Sequence, residues 1–306
     1  MKVFGFRIRF NVEPSRRFSS DTNPVAVEDH GGSLKAIEGA TMADATRFAL
    51  RMGGFATAED AERVGFQWAD AIVIAGLRLR TGFDVGRFAL GLGGASAYLK
   101  QLVREDFGII IRNEVHGLDV FEDTPTTRFV AASGTAQGNM RADHLVTTLR
   151  ASVPPTPLAP KLRLALDLFG LARFERSPRV RFLTLISAIE VLTTRAPSSA
   201  AALVLVDSWE RALASADADV RDVLTNRLRE LRRESIGVAC RQLVRDHGGD
   251  AAVKDFRRLY DVRSTLVHDG EVPGEDFSAV AQRATDLTAL VLESLVSKIV
   301  PAFPTT

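Results

Sequence analysis

The sequence predicts an α+β protein, in which a small α+β domain at residues 1–152 precedes an all-α antiparallel helical bundle at residues 161–306. Near the N-terminus apolar residues recur at every second position, which is the period of a β-strand. Prolines then cluster at residues 153–160, and the pattern after them is helical throughout. A chain of 306 residues, 46% of them hydrophobic, has the length and the apolar content for two folded units.

The first predicted element is a β-strand. From Phe4 to Phe10 the apolar side chains alternate with Gly5, Arg7 and Arg9. A period of two puts the apolar residues on one face of a strand and the intervening residues on the other. We therefore expect a half-buried strand with one apolar and one polar face.

The other elements of the first domain are helices and short strands. Residues 57–80 carry apolar residues at helical spacing, and Thr57 is a residue type that begins helices. Residues 107–111 and 128–131 are typical of short strands, and residues 144–149 begin or end a further helix. These elements predict a domain with a small sheet.

A proline-rich segment separates the two domains. Four of the twelve prolines lie within residues 154–160. Proline fixes its own backbone and moves the preceding residue toward extended conformations. Residues 153–160 are therefore predicted to form an extended linker.

Amphipathic helices are predicted along the whole second domain. Pro178 is well placed in a first helical turn, and Gly248 with Gly249 indicates a helix end. Short turns between long amphipathic segments are typical of an antiparallel bundle. The predicted helices are residues 161–175, 178–195, 200–214, 220–246, 251–268 and 277–300.

Charge and cysteine content restrict the classes of function. The net charge is +1, so any basic surface that attracts nucleic acid must be local. A single cysteine, Cys240, excludes an intrachain disulfide framework and a cysteine-only metal site, and we expect it to be a core residue. No apolar run of about 18 residues and no signal-peptide pattern occurs. We expect a cytoplasmic protein with no membrane span, no metal and no cofactor.

An arginine and a histidine five positions apart form the candidate site. Arg263 and His268 lie near the end of a predicted helix, directly before Asp269 and Gly270. A guanidinium offers phosphate a planar fork of donors, and an imidazole takes or gives a proton near neutral pH. Five helical residues rotate by about 140° beyond a full turn. The arginine must therefore reach around the helix, or the helix must unwind before Gly270.

The residues around this pair resemble the Apea-like branch of the HEPN domain superfamily. The family signature has an arginine and a histidine separated by four to six residues, a tyrosine before the arginine, a serine after it and a glycine after the histidine. An upstream helix with a central acidic residue is also shared, and Glu190 within residues 182–192 is similar. The resemblance covers about residues 160–300. The matching signature residues are Tyr260, Arg263, Ser264, His268 and Gly270.

The resemblance implies a helical bundle that pairs with a second copy and, in many members, a metal-independent endoribonuclease. RNA supplies its own nucleophile, the 2′-hydroxyl. His268 would act as base or acid, and Arg263 would hold the phosphate and stabilise the charge that develops on it. Glu190 would orient either residue. Tyr260 and Ser264 would add hydrogen bonds to the phosphate.

The resemblance also implies partners and a biological setting. A homodimer through the C-terminal bundle would bring two copies of Arg263 and His268 into one cleft with the RNA. Many relatives belong to bacterial toxin and antiphage defence systems. The first domain would then sense a trigger or bind a regulatory protein.

Other interpretations stay open. The chain could be a non-catalytic HEPN-type module that binds RNA, a nucleotide or a protein partner. Arg263 could form a plain ion pair with Glu190, while His268 stabilises the helix end and Tyr260 belongs to the core. A third hypothesis is that a nucleotidyltransferase modifies the neighbourhood of Tyr260.

Overall fold

The computed structural model describes residues 3–37, 41–86, 90–91, 101, 103–105, 108–113, 115–124, 126–130 and 139–300. It confirms the α+β fold class, with a largely antiparallel sheet in the first half of the chain and helices in the second. The strands are β1 Phe4–Val12, β2 Arg17–Ser19, β3 Val25–Val27, β4 Gly32–Ala36, β5 Arg47–Phe55, β6 Phe83–Asp84, β7 Leu90–Gly91, β8 Ile110–Asn113, β9 Val115–Glu122, β10 Thr127–Val130 and β11 Asn139–Arg141. The helices are α1 Ala58–Arg78, α2 Ala142–Arg150, α3 Pro160–Ala172, α4 Pro178–Leu192, α5 Ala200–Leu213, α6 Ala218–Leu231, α7 Ile236–Asp269 and α8 Phe277–Ser297.

The main sheet has β1 at its centre. Its strand order within the described residues is β3-β4-β5-β1-β9-β7, and β6 pairs with the end of β1. The predicted strand is confirmed, but its half-buried character is wrong. Arg7 is only 9% exposed and Arg9 only 4% exposed. Both faces of β1 are therefore covered, and its two edges pair with β5 and β9.

The predicted helix at residues 57–80 is confirmed as α1. Thr57 caps it, because its Oγ1 accepts a hydrogen bond from Asp60 N at 3.0 Å and donates one to Asp60 Oδ2 at 3.0 Å. The helix predicted at 144–149 is α2. The two short strands predicted in this half correspond to β8 and β10, which pair in parallel. Their predicted outer ends, Phe107 and Ala131, lie outside the described residues.

The proline-rich segment lies along α1. Gln67 Nε2 donates to the carbonyl oxygens of Pro154 and Pro155 at 3.3 and 3.1 Å. Asp70 Oδ2 accepts a hydrogen bond from Leu158 N at 3.0 Å. The buried apolar side chains on either side of this segment belong to one continuous hydrophobic cluster. The sheet and the bundle are therefore packed against each other.

A buried carboxylate joins the end of β1 to the end of α3. Glu13, 1% exposed, accepts hydrogen bonds from Arg173 Nε at 2.9 Å, Arg173 Nη2 at 3.2 Å, Gly82 N at 2.8 Å and Ser15 Oγ at 2.7 Å. Burial acts to raise the pKa of Glu13, but these donors together lower it below its ordinary value. A Cβ atom on Gly82 would lie 2.5 Å from Arg173 Cβ, so the close approach requires glycine.

Most of the bundle helices are confirmed within a few residues, but the predicted helix at 220–246 is wrong. The chain leaves α6 at Leu231 and begins α7 at Ile236. Ser235 begins the new helix, because its Oγ accepts a hydrogen bond from Val238 N at 3.3 Å. The glycine pair does mark a break, since Gly249 has φ 76° and ψ −177°. It separates two helical segments that are joined across a kink within α7, so the helix end predicted at Gly248 and Gly249 is confirmed.

No helix within the described residues is both long enough and apolar enough to cross a lipid bilayer.

Candidate functional site

Arg263 and Glu190 meet where α7 crosses α4. Arg263 Nη2 lies 3.3 Å from Glu190 Oε1 and 3.4 Å from Glu190 Oε2. The neighbouring α7 residues Leu259, Val262 and Leu266 are buried and carry the helix against the bundle core. Arg263 flanks this apolar stripe, so its side chain is 29% exposed. The structure thus brings together two of the predicted site residues.

The Glu190 carboxylate is not fully satisfied. Its side chain is 15% exposed, and Oε1 is buried and accepts no hydrogen bond of good geometry from the described residues. A carboxylate has about four acceptor positions. The contact with Arg263 is long for a charged pair, which usually lies at about 2.7–2.9 Å. Glu190 can therefore accept a further donor.

Tyr260 packs beside the same arginine. Arg263 Cζ lies 5.8 Å from the centroid of the Tyr260 ring, which is within the range of a cation–π contact. The ring also packs against Phe256, with centroids 5.4 Å apart. Burial raises the pKa of Tyr260, and the Glu190 carboxylate raises it further. A tyrosine phenol is protonated at neutral pH even without this shift, so the Tyr260 hydroxyl can donate a hydrogen bond.

The sequence interpretation missed three residues at this site. Burial raises the pKa of Cys240 to about 12, with a further rise from the Glu190 carboxylate, so the thiol is neutral. Arg241 opposes that shift by a smaller amount. A Cβ atom on Gly237 would lie 3.2 Å from Tyr260 Cε1, so glycine permits the tyrosine to approach. These residues lie before the Gly249 break, and no spacing rule connects them with Arg263.

His268 is exposed in the last turn of α7. The helix stays regular to Asp269 and ends at Gly270, which has φ 78° and donates from its N to Leu266 O at 3.1 Å. One of the two sequence interpretations required the helix to unwind before Gly270, and that interpretation is wrong because the helix stays regular. Within the described part of the chain the His268 ring has no hydrogen bond and no ion pair.

Ser264 is half-buried beside Arg263. Its hydroxyl likewise has no side-chain partner in the described part of the chain. The chain thus presents a half-buried guanidinium held by Glu190 and, about 1.4 turns later on the helix, an imidazole open to solvent. These groups can bind a phosphate and exchange a proton with a ligand that reaches both.

In the described residues, no group of three or more His, Cys, Asp and Glu side chains is arranged to hold a metal ion. No protein-family model matches the chain, and no characterised protein or solved structure is significantly similar to it.

Proposed function

We propose that this chain is a HEPN-type, metal-independent endoribonuclease in which Arg263 and His268 act on the RNA phosphodiester. The observation that supports this most is a half-buried guanidinium, held through Nη2 by Glu190, on the same helix as a solvent-exposed imidazole. An arginine side chain has five N–H donors in a rigid fork. A contact through one nitrogen leaves the other donors for a phosphate.

The proposed reaction uses the RNA 2′-hydroxyl as nucleophile. This oxygen loses its proton to a base and bonds to the adjacent phosphorus, while the 5′-oxygen leaves and takes a proton from an acid. The products are a 2′,3′-cyclic phosphate end and a 5′-hydroxyl end. His268 transfers a proton, a contribution of roughly 10²–10⁴-fold. Arg263 stabilises the charge on the non-bridging oxygens, and its loss costs roughly 10²–10³-fold.

Two neighbouring hydroxyls support the phosphate. Tyr260 donates a hydrogen bond through its hydroxyl, since a phenol is protonated at neutral pH. Ser264 follows Arg263 directly and donates a second one. Glu190 orients the guanidinium through the contact to Nη2.

The proposed assembly is a homodimer with RNA. One imidazole cannot be base and acid at the same moment, so the second His268 comes from a second copy of the chain. The proposed location is the cytoplasm, where a buried free thiol such as Cys240 stays reduced. The proposed setting is a bacterial toxin or antiphage defence system, with a trigger or regulatory protein acting on the first domain.

The test is RNA cleavage in the presence of EDTA. Wild type is compared with Arg263→Ala and His268→Ala. Arg257→Ala on the exposed side of α7 and His144→Ala on α2 serve as matched controls. We expect both site variants to lose at least about 100-fold in rate, and both controls to stay within about twofold of wild type. Equal rates for wild type and the site variants would overturn the proposal.

A non-catalytic module is the second candidate. It is favoured by the ion pair itself, since Glu190 already neutralises part of the Arg263 charge. This candidate predicts that wild type binds RNA or a nucleotide without cutting it. Arg263→Ala would then weaken binding, and His268→Ala would leave it unchanged.

A further inference from the structure

We infer that a cavity on the main sheet, on the face that points away from α1, binds a guanine base. The cavity has a volume of about 560 Å³, which is within the range of small-molecule sites. It is formed by the turn before β4, by β4 and β5, and by the residue that follows β9. It contains none of the proposed nuclease residues, so the inference stands without the nuclease.

The register of the sheet places the cavity opposite α1. Gly65 of α1 approaches Phe6 of β1, so α1 lies over the face that Phe6 shares. Arg7, the next residue of β1, points to the other face. It pairs in register with Arg51 of β5, which in turn pairs with Ser33 of β4. Residues directly opposite each other in register share a face, so the Arg51 and Ser33 side chains lie away from α1.

A bulge in β5 forms one wall of the cavity. The register of β1 with β5 shifts at Gly53 and Gly54, where two residues of β5 oppose the single residue Gly5 of β1. Gly54 has φ 86°, with open space where a Cβ atom would stand. A Cβ atom on Gly53 would collide with Asp123 Oδ2. The two glycines therefore leave bare backbone beside the Asp123 carboxylate, which permits the close approach of a flat ligand.

The Arg51 guanidinium is held at two points and keeps donors for a ligand. Its Nη2 donates to Asp123 Oδ1 in a short ion pair, and its Cζ lies 5.5 Å from the centroid of the Phe121 ring, within cation–π range. The side chain is 38% exposed. Within the described residues, Nε and Nη1 donate to no acceptor. Since arginine has five N–H donors, most of them are available to a group in the cavity.

The Asp123 carboxylate keeps acceptor positions at the same place. Its Oδ1 accepts the bond from Arg51, while Oδ2 accepts no hydrogen bond from the part of the chain that the structure describes. The backbone is anchored, because Asp123 N donates to Val3 O at 2.9 Å. A carboxylate has about four acceptor positions. The cavity thus presents an acceptor directly beside available donors.

An exposed aromatic ring borders these groups. His30 has a left-handed backbone, with φ 49° and ψ 37°. Its ring stacks on the buried Phe55 ring, with centroids 4.7 Å apart and an angle of 29° between the planes. His30 itself is exposed, so the ring can stack a second planar group. Histidine is one of the side chains on which nucleobases stack.

These groups fit guanine better than a simple anion or another base. A ligand with only negative charge would meet the Asp123 carboxylate as well as Arg51. Guanine has two adjacent N–H donors, at N1 and N2, that match the carboxylate, and its O6 acceptor beside them matches the guanidinium. Adenine and cytosine have one amino group beside a ring nitrogen, and uracil has a single N–H. Each of these bases therefore leaves one position of the carboxylate unmatched.

The first experiment is calorimetric titration of wild type with four ligands. They are GMP, inosine monophosphate, which lacks only the amino group at N2, AMP, and ribose 5-phosphate, which lacks the base. We expect GMP to bind with a Kd below about 1 mM and at least about tenfold more tightly than the other three. An affinity for GMP that does not exceed theirs, or no binding up to about 1 mM, would overturn the inference.

The second experiment tests the residues. Asp123→Asn replaces an acceptor oxygen by an amino donor, and His30→Ala removes the stacking ring. We expect each to weaken GMP binding by about tenfold or more. The matched controls are Asp119→Asn, a carboxylate of the same sheet that pairs with Arg112 at 2.8 Å outside the cavity, and His144→Ala, an exposed histidine of α2.

Both controls should stay within about twofold of wild type. Circular dichroism confirms the fold of each variant, and the exposed His30 position keeps the test valid even if Asp123→Asn unfolds. Unchanged GMP affinity in a folded His30→Ala, or an equal loss in the two aspartate variants, would overturn the inference.

The third experiment identifies the source of the guanine. Wild type and His30→Ala are titrated with GMP and with a single-stranded RNA of adenosines that contains one guanosine. Loss of GMP binding alone assigns a free nucleotide, and a parallel loss for the RNA assigns a base within a strand. Both results support the cavity, whereas a variant that weakens neither would overturn it.

These outcomes are separable from those of the nuclease test. GMP binding by a protein that does not cleave RNA would sink the proposed function and leave the guanine site intact. RNA cleavage by a protein that does not bind GMP would do the reverse.

Discussion

Arg263 on α7 pairs with Glu190 on α4, with 3.3 Å between Nη2 and Oε1. The two residues are 73 positions apart in the chain. The contact aligns the guanidinium between the Tyr260 ring and a carboxylate that has spare acceptor capacity. It is the structural basis for treating Arg263 as a positioned group.

A double-mutant cycle on this pair should give non-additive stabilities. Glu190→Ala and Arg263→Ala each leave one partly buried charge without its partner. We expect each to lower the free energy of unfolding by about 1–2 kcal/mol, less than for a fully buried pair because Arg263 is 29% exposed. The double variant should lose about 1 kcal/mol less than the sum. Urea unfolding measures all four proteins, and strict additivity would show that the pair contributes no coupling.

Alanine substitutions at two glycines after α7 should distinguish an effect on stability from an effect on RNA cleavage. Gly270 and Gly274 have φ 78° and 76°, with open space where a Cβ would stand. Alanine at either position is strained by the left-handed backbone, so both variants should lose about 1 kcal/mol. Only Gly270→Ala disturbs the helix end that carries His268. We therefore expect Gly270→Ala alone to slow RNA cleavage, by about tenfold or more. Similar cleavage rates for the two variants would argue against a role for the His268 position.

The buried thiol should make stability fall at alkaline pH. The pKa of Cys240 is raised by burial, and by the Glu190 carboxylate, from 9.0 to about 12. Above pH 9 the unfolded chain releases this proton while the folded chain keeps it. The thiol's contribution is complete below pH 9 and is lost as the pH rises toward 12.

Urea unfolding at about pH 8 and about pH 10 measures this loss, and Cys240→Ala is the control. We expect the variant to lose less stability than wild type between the two conditions. A residual slope of the same sign is expected from Tyr260, whose pKa is also raised. Equal slopes in both proteins would mean that Cys240 ionises normally in the folded state.

Arg173→Ala should weaken the contact between the sheet and the bundle. The variant leaves Glu13, 1% exposed, with hydrogen bonds from Ser15 and Gly82 and a longer ion-pair contact to Arg16, whose Nε lies 3.6 Å from Oε1. We expect a loss of about 2–4 kcal/mol in the free energy of unfolding near neutral pH. The exposed Arg176→Ala nearby is the control and should change it by less than about 0.5 kcal/mol.

The loss in Arg173→Ala should depend on pH. In wild type the pKa of Glu13 is lowered in the folded state, so its contribution is present above the ordinary glutamate range and disappears as the pH falls through the folded value. Arg173→Ala should therefore approach wild type in acid. A loss that is constant with pH would point to side-chain packing rather than charge.

Capping residues and the spacing of apolar residues correctly predicted several helices. Thr57 and Asp60 identified the start of α1, and the spacing of apolar residues identified α3, α4 and α8. The sequence did not predict the break between α6 and α7, because residues 232–234 contain no proline or glycine. It is defined by the Ser235 cap and by long-range contacts such as Glu234 N to Ala196 O at 3.0 Å.

The burial of β1 and the full set of residues around Arg263 could not be predicted from local sequence patterns. Arg7 and Arg9 indicate a polar face in a pattern of period two, but a central strand buries both faces. Glu190 and Arg263 were identified through the family resemblance, and the structure brings them into contact. Cys240 and Gly237 join them only through tertiary packing, which no local spacing encodes.

The most direct test of the central claim is the chemical identity of the RNA ends produced in EDTA, measured by mass spectrometry. With wild type we predict 2′,3′-cyclic phosphate and 5′-hydroxyl ends, and with Arg263→Ala or His268→Ala no such ends above background. A 2′-deoxy strand of the same sequence should stay intact. Ends of another type, cutting of the deoxy strand, or unchanged product from the His268 variant would contradict the account.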